Sequence, residues 1–364
     1  MNPLLDTYAH VLVTYCLALK PGEKVLIRSS ILGEPLVKEV YKKALEAGAF
    51  PEIELSFSDQ EFIFYSHANN DQLQYSSLLY KTAVETFDAL LNIRAPFNKK
   101  ELQSIPKEKL SIRQKSMAPI KKIFMERSAK KALRWGLCEY PTLSGAQECG
   151  MSLREYETFV FEACFLTTPD PILEWQKLGQ FQQGIVDRLN TMSDFRFKGP
   201  DTDISFSTKN RICINSDGKR NMPSGEVFTS PVENSVNGTI FFNFPTLYQG
   251  KDVQGVTLVV KEGEVVQWDA KIGKEALDQA FEIPGSRFFG EAAIGTNTHI
   301  QRPSKNILFD EKISGSIHMA IGASYPETGG KNESGLHWDL IKDMTSGEIY
   351  GDNTLIYKNG SFIN

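Results

Sequence analysis

The sequence predicts an α/β N-terminal domain followed by an α+β, β-rich C-terminal domain that binds metal, and three observations lead there. A chain of 364 residues exceeds the size at which a single hydrophobic core keeps growing. Up to about residue 190, short apolar runs alternate with segments of helical periodicity, the pattern of strands joined through helices. Beyond that point, short alternating strands separated by turn residues dominate, and acidic and histidine residues gather among glycines. The expected domains are therefore residues 1–190 and 191–364.

The elements follow in order. The opening stretch MNPLLDTYAHVLVTYCLALKPGEK is apolar, but Asp6, Thr7 and His10 interrupt it and no basic segment precedes it, so it is not a secretory signal. Residues 22–56 read as a βαβ-like unit: a strand Glu23–Arg28, a helix from about Glu34 to Ala47 and a second strand Pro51–Phe57. Pro35 suits a first helical turn, Leu36, Val37, Val40, Ala44 and Leu45 recur at helical spacing, and Gly48 supplies a stop. The run Phe87–Ile93 is a further buried strand. Residues 98–135, including KKIFMERSAKKALRW, are rich in lysine and arginine. A nucleic-acid face needs such charge, but so does a solvated amphipathic helix, and Trp135 is a lone tryptophan as stacking candidate, so the segment reads as a helix with no assigned partner.

Ser152-Leu-Arg-Glu155 has capping-box spacing and starts a helix through about Phe165. The Thr167-Thr-Pro-Asp-Pro171 segment ends it, and another helix, about Leu173–Leu189, leads toward Lys198-Gly-Pro200. The strand-like segments DISFSTKNRICIN, GTIFFNF, VTLVVKEGEVVQW and TLIYKNGSFI complete the chain, the last with an Asn359-Gly360 hairpin turn.

Composition narrows the function. Hydrophobic residues make up 41% and charged residues 23%, values of an ordinary folded protein. A net charge of −5 offers no general attraction to a polyanion, so neither nucleic acid nor an anionic membrane is an expected partner. Five scattered cysteines without a C-x-x-C pair indicate neither a disulfide framework nor a thiolate zinc site, and fit a reducing, cytoplasmic setting. No apolar run approaches the roughly 20 residues that span a bilayer.

Three of the five histidines fall in the last 66 residues. His337-Trp-Asp339 is a His-x-Asp step, and on a strand residues two apart share a face, so imidazole and carboxylate can hold one cation. By itself such a step is more often a surface or hydrogen-bonded pair. His318 lies in the strand-like SGSIHMAIG, facing away from Ile317 and Met319; its bland alternative is a satisfied core histidine. Glu291 is set between Phe288-Phe-Gly and Ala-Ala-Ile-Gly, where a carboxylate is costly without a partner. Glu226, flanked by Pro223, Gly225 and Pro231, reads as part of a fixed loop, its alternative being a turn carboxylate. Three carboxylates and two imidazoles suit hard or borderline divalent metals. They outnumber the needs of one open site, and a dinuclear site with a bridging carboxylate would use them all.

The segments NMPSGEVFTSPVENSVNG (221–238), GEAAIGTN (290–297), FDEKISGSIHMAIGASYPETGG (309–330) and KNESGLHWDLIKDM (331–344) closely resemble the aminopeptidase T/S family of two-metal-dependent aminopeptidases. Weaker similarity runs through YPTLSGAQECGMSLREYETFVFEA (140–163) and GEKVLIR, so the resemblance covers most of the chain. It implies that Glu226, Glu291, His318, His337 and Asp339 are metal ligands and that Tyr325 is the catalytic tyrosine. It further implies two divalent cations per chain (zinc, cobalt or magnesium), peptide substrates trimmed from the N-terminus, and a homodimer whose α/β domains restrict access to the site.

Within that expectation Glu291 is favoured as the bridge, because an isolated buried carboxylate is best explained by contact with both cations. Glu327 and Glu233 are candidates for moving the proton from water to the leaving amine, or for orienting a histidine. FEIPGSRFFGEAA (281–293) is more aromatic and less acidic ahead of Glu291 than the family pattern, where an aspartate usually precedes the glycine; no ligand is lost by it. Two competing readings are a dipeptidase or amidase on the same metal site, and a non-enzymatic binding protein that keeps the C-terminal blocks as scaffold. The filled ligand positions argue against the second.

Overall fold

A computed structural model describes residues 2–363. The chain forms two compact units, Met1–Ile172 with Gly218–Pro223, and Leu173–Asp217 with Ser224–Asn364.

The first unit is built on a five-stranded parallel sheet whose order is Phe50–Ser56, Lys24–Ser30, Ala89–Arg94, Arg134–Glu139 and Asn221–Met222. Parallel strands covered on both faces need continuous apolar runs, and Val25, Ile27, Leu90 and Leu91 are fully buried. The helix Glu34–Glu46 connects the first two strands and turns Leu36, Val37, Val40 and Ala44 inward. The N-terminal apolar stretch is core: the helix Pro3–His10 continues into a π-helical turn Val11–Cys16, and buried Tyr8 donates to the carbonyls of Glu139 and Met222 at 3.3 and 3.4 Å. The basic segment forms the helix Lys107–Ala129, of which Ile120 alone is buried. The capping box closes with both of its bonds, Ser152 N–H to Glu155 at 2.7 Å and Glu155 N–H to Ser152 Oγ at 3.3 Å.

The second unit contains two antiparallel sheets. A nine-stranded sheet includes Asp194–Gly199, Thr202–Ser207, Asn237–Phe242, Lys251–Lys261 and Glu264–Ile272. It ends in the hairpin Thr354–Lys358/Ser361–Phe362, turned by Asn359 and Gly360 at φ 51° and 83°, a left-handed pair that asparagine and glycine tolerate. A five-stranded sheet runs in the order His337–Asp343, Ser316–Gly322, Phe289–Gly295, Glu226–Thr229, Ile214–Ser216. Ile317, Met319, Ile321 and Leu340 of this sheet share one apolar core with Phe197, Ile204, Ile240 and Phe242 of the other.

The change of unit falls after Ile172, earlier than the expected position near 190, because the helix Pro171–Leu189 packs with the second unit. Its Ile185, Val186 and Leu189 join that unit's core, and its Gln182 amide donates to the carbonyls of Ser216 and Glu226 at 3.2 and 2.6 Å. The Gly218–Pro223 excursion, which supplies the last parallel strand of the first unit, is a long-range pairing without a local signature.

Candidate metal centre

The five-stranded sheet of the second unit presents the site on one face. Its register aligns Glu291 with Ala320 and Ala320 with Asp339, so the two carboxylates stand in one row across three strands, with a small methyl side chain between them. His318 lies two residues before Ala320, and His337, opposite Gly322, lies two residues before Asp339. Alternation places all four on the same face. Glu226, opposite Gly295, joins them; it opens the strand Glu226–Thr229 rather than lying in the loop expected for it.

Glu291 owes its position to a β-bulge. Phe289 pairs with Ile321 and Glu291 with Ala320, the next residue back, so Gly290 is the extra residue. A regular strand would point Phe289 and Glu291 the same way. The bulge switches faces, so that Phe289 fills the core while Glu291 turns to the site. Gly290 fits because a Cβ there would sit 2.2 Å from the Ala323 carbonyl oxygen and 2.6 Å from that of Gly322.

The polar atoms form two neighbouring groups. Glu226, Glu311 and His318 bring one ligand atom each within 4.8 Å of one another, and so do Glu291, His337 and Asp339. Glu291 faces both: Oε1 is 3.6 Å from His318 Nε2 and Oε2 is 3.1 Å from His337 Nε2. Glu226 Oε2 lies 3.5 Å from His318 Nε2, and Asp339 Oδ1 lies 3.4 Å from His337 Nε2. His337 Nδ1 contacts the Ala323 carbonyl oxygen at 2.7 Å. Since a carbonyl only accepts, Nδ1 carries the hydrogen and Nε2 is left as the lone-pair nitrogen whenever the ring is neutral.

Glu226 Oε2, His337 Nε2 and Asp339 Oδ1 are buried and make no hydrogen bond. Four carboxylates converging on orphaned imidazole and carboxylate atoms are costly to bury without cations, and this donor set fits divalent metals. The electrostatics show the same demand. Burial works against a charged His318, but Glu291 and Glu226 outweigh it and raise its pKa to about 9. Burial likewise opposes a charged His337, and Asp339 with Glu291 raises it to about 12. Burial would raise Asp339, yet the two imidazoles bring it down to about 2.

Glu311 escapes a reading from sequence alone. It follows the short helix Ile307–Asp310 in an Asp-Glu-Lys run that resembles a surface turn; its one signal is its place in the block FDEKISGSIHMAIG. Burial, against the attraction of Lys312, raises its pKa to about 8.

Tyr325 caps the 3-10 turn Pro326–Thr328, its ring 4.9 Å from that of His337 and 5.6 Å from that of Phe228. Although 37% of the residue is exposed, desolvation together with Glu291 and Asp339 raises its phenol far above the usual value, so it stays protonated. Glu233 is engaged elsewhere: Arg211 donates to Oε2 at 2.7 Å and Lys331 N–H to Oε1 at 2.7 Å, which ties down the segment after Tyr325.

A profile of the thermophilic metalloprotease (M29) family matches residues 1–362. Aminopeptidase 2 of Geobacillus stearothermophilus is 29% identical over 352 residues, covering 88% of this chain and 84% of its own. Aminopeptidase T of Thermus thermophilus is 26% identical over 398 residues, covering 96% of this chain and 95% of its own. The solved structure of wild-type AmpT from Thermus thermophilus shares the fold, with a TM-score of 0.87 at 22% identity over 100% of this chain and 99% of that one.

Proposed function

The chain belongs to the thermophilic metalloprotease (M29) family, a family of metal-dependent peptide-bond hydrolases, and from that premise we propose that it is an aminopeptidase with a dinuclear centre. The single observation that carries the dinuclear part is Glu291, whose two oxygens face two separate ligand groups. In this reading Glu226, Glu311 and His318 would hold one divalent cation, and His337 and Asp339 the other, with Glu291 placed to serve both. Zinc, cobalt and magnesium all suit these donors. Bound divalent cations supply Lewis-acid polarisation of the scissile carbonyl and acidify the attacking water.

The protein's own groups do the rest. Tyr325, kept protonated by its surroundings, donates to the oxyanion that develops on the carbonyl. The Ala323 carbonyl holds the His337 ring in one orientation. Glu233, paired with Arg211, acts in fixing the Tyr325 segment.

A homodimer in the cytoplasm completes the proposal. The resemblance supports the dimer, and the cysteine pattern supports the compartment. Light scattering on the purified chain tests the first.

The deciding assay is hydrolysis of leucine and arginine anilides by chelated enzyme, before and after zinc, cobalt or magnesium, alongside His337→Ala and with dipeptides and longer peptides for comparison. Metal-restored cleavage of the anilides and longer peptides, absent from the variant, is expected. Turnover confined to dipeptides would shift the assignment to a dipeptidase, and no turnover with any metal would sink it.

A further inference from the structure

Ser230 and Thr328 have no part in the chemistry described so far, yet both are completely buried, and a buried hydroxyl is costly unless it is bonded. Their contacts form one line. Ser230 Oγ lies 2.7 Å from the Gly290 carbonyl oxygen, the two hydroxyl oxygens lie 2.6 Å apart, and Thr328 Oγ1 lies 2.7 Å from the Tyr325 carbonyl oxygen. One end of the line is the bulge that turns Glu291 to the site, and the other is the turn that carries Tyr325.

Two hydroxyls bring two hydrogens to these three contacts, so one contact is without a hydrogen at any moment. The Tyr325 carbonyl tolerates this, because it also accepts from the Thr328 N–H at 3.1 Å. The turn closes round Ser230: a Cβ on Gly330 would come within 2.5 Å of Ser230 Oγ and 2.4 Å of Ser324 Cβ. Ser230 directly follows the strand Glu226–Thr229. That segment therefore supplies a candidate ligand, the Phe228 ring against Tyr325 at 5.6 Å and the hydroxyl that joins turn to bulge.

We propose that Ser230 and Thr328 are positioning residues that hold the Tyr325 phenol in register with Glu291, so that the oxyanion donor and the metal-facing carboxylate move as one piece. This rests on reading Tyr325 as the oxyanion donor and Glu291 as a ligand. Thr328 acts through the Tyr325 turn, and Ser230 acts through the Gly290 bulge as well. A misplacement of about 1 Å costs on the order of 100-fold in rate, so the loss of either hydroxyl is read in catalysis although both are buried away from substrate.

The test uses full-length, cobalt-loaded enzyme and a leucine anilide, with bound cobalt counted by elemental analysis. Thr328→Val, which keeps the size of the side chain and loses the hydroxyl, should lower kcat roughly 10- to 100-fold with KM and bound cobalt unchanged, and Thr328→Ser should keep the rate. In a Tyr325→Phe background the same Thr328→Val should cost less than about twofold, because no phenol is left to place. Ser230→Ala should lower kcat and also shift the visible absorption of the bound cobalt, since the bulge that carries Glu291 loses its tie. An equal loss in both backgrounds, a Thr328→Ser enzyme as slow as Thr328→Val, a KM effect in place of the kcat effect, or a cobalt spectrum unmoved by Ser230→Ala would each overturn the proposal. If Tyr325→Phe were fully active, or the wild type inactive on the anilide, the functional reading would fall by itself. A crystal structure of Thr328→Val then decides the coupling: a displaced Tyr325 turn supports it and an unmoved turn overturns it.

Discussion

At the scale of single residues, the proposed chemistry rests on Tyr325 and the two imidazoles. With Tyr325 as the oxyanion donor, Tyr325→Phe removes one hydrogen bond made in the transition state. The expected result is a fall in kcat by roughly 100- to 1000-fold, with KM and bound metal nearly unchanged; steady-state kinetics beside metal analysis checks it, and a loss of metal instead would make the tyrosine structural. His318 and His337 set the pH response. Both are raised by carboxylates, to about 9 and about 12, so near neutral pH the metal-free site holds protons that a cation has to displace. Metal uptake should therefore release protons, and apparent affinity should climb as pH rises toward about 9. Calorimetric titration in two buffers of different ionisation heat measures the release directly, and no buffer dependence would mean that the rings are already neutral. In the metal-free protein the His318 ion pairs contribute stability that is fully present below the ordinary value near 6.5 and is lost as pH rises through about 9.

At the scale of the element, the bulge in the strand Phe289–Gly295 joins core packing to the candidate site. Gly290 lets the chain switch faces between a core phenylalanine and a site carboxylate, and the close approach of the Ala323 carbonyl leaves no room for a Cβ. Gly290→Ala should destabilise the protein by about 1–3 kcal/mol and also weaken metal binding, because relieving the clash moves Glu291. Denaturant unfolding of the metal-free form, paired with a cobalt titration, separates the two effects; normal metal binding in a destabilised variant would detach the bulge from the site. The strand Glu226–Thr229 is held by Gln182, a helix-to-sheet bond that positions a candidate ligand from outside its own sheet.

Across the whole molecule, each unit has its own construction, one around a parallel sheet and the other around a core shared by two antiparallel sheets. All the candidate ligands belong to the second unit, so metal should act as a fold-stabilising ligand there. At a free concentration about 100 times the dissociation constant, a cation bound to the folded state alone contributes about 2.7 kcal/mol. For a unit of this size that corresponds to a rise in Tm of roughly 5–10 °C over the chelated protein. Scanning calorimetry with and without chelator reads the shift, and coincident melting curves would mean that the ligand set is not engaged in the folded state.

Much of this protein is decided locally and was therefore legible in the chain. Apolar runs such as Lys24–Ser30 declare buried strands, Ser152 and Glu155 close a helix end within one turn, and Asn359-Gly360 makes a hairpin from two left-handed residues. The residue types suited to divalent metals stand in blocks that resemble the aminopeptidase T/S family, which is why five candidate ligands and Tyr325 could be nominated by number. Convergence is another matter, because it depends on strand register between segments far apart in the chain, and register is set by how Ile317, Met319 and Leu340 pack in the core. Only the folded structure turns Glu311 inward, buries Lys312 against it and flips Glu291 to the site through Gly290. It also assigns the helix Pro171–Leu189 to the second unit and sends Gly218–Pro223 back to the first. In each case the deciding contact lies far away in sequence, where no local pattern records it.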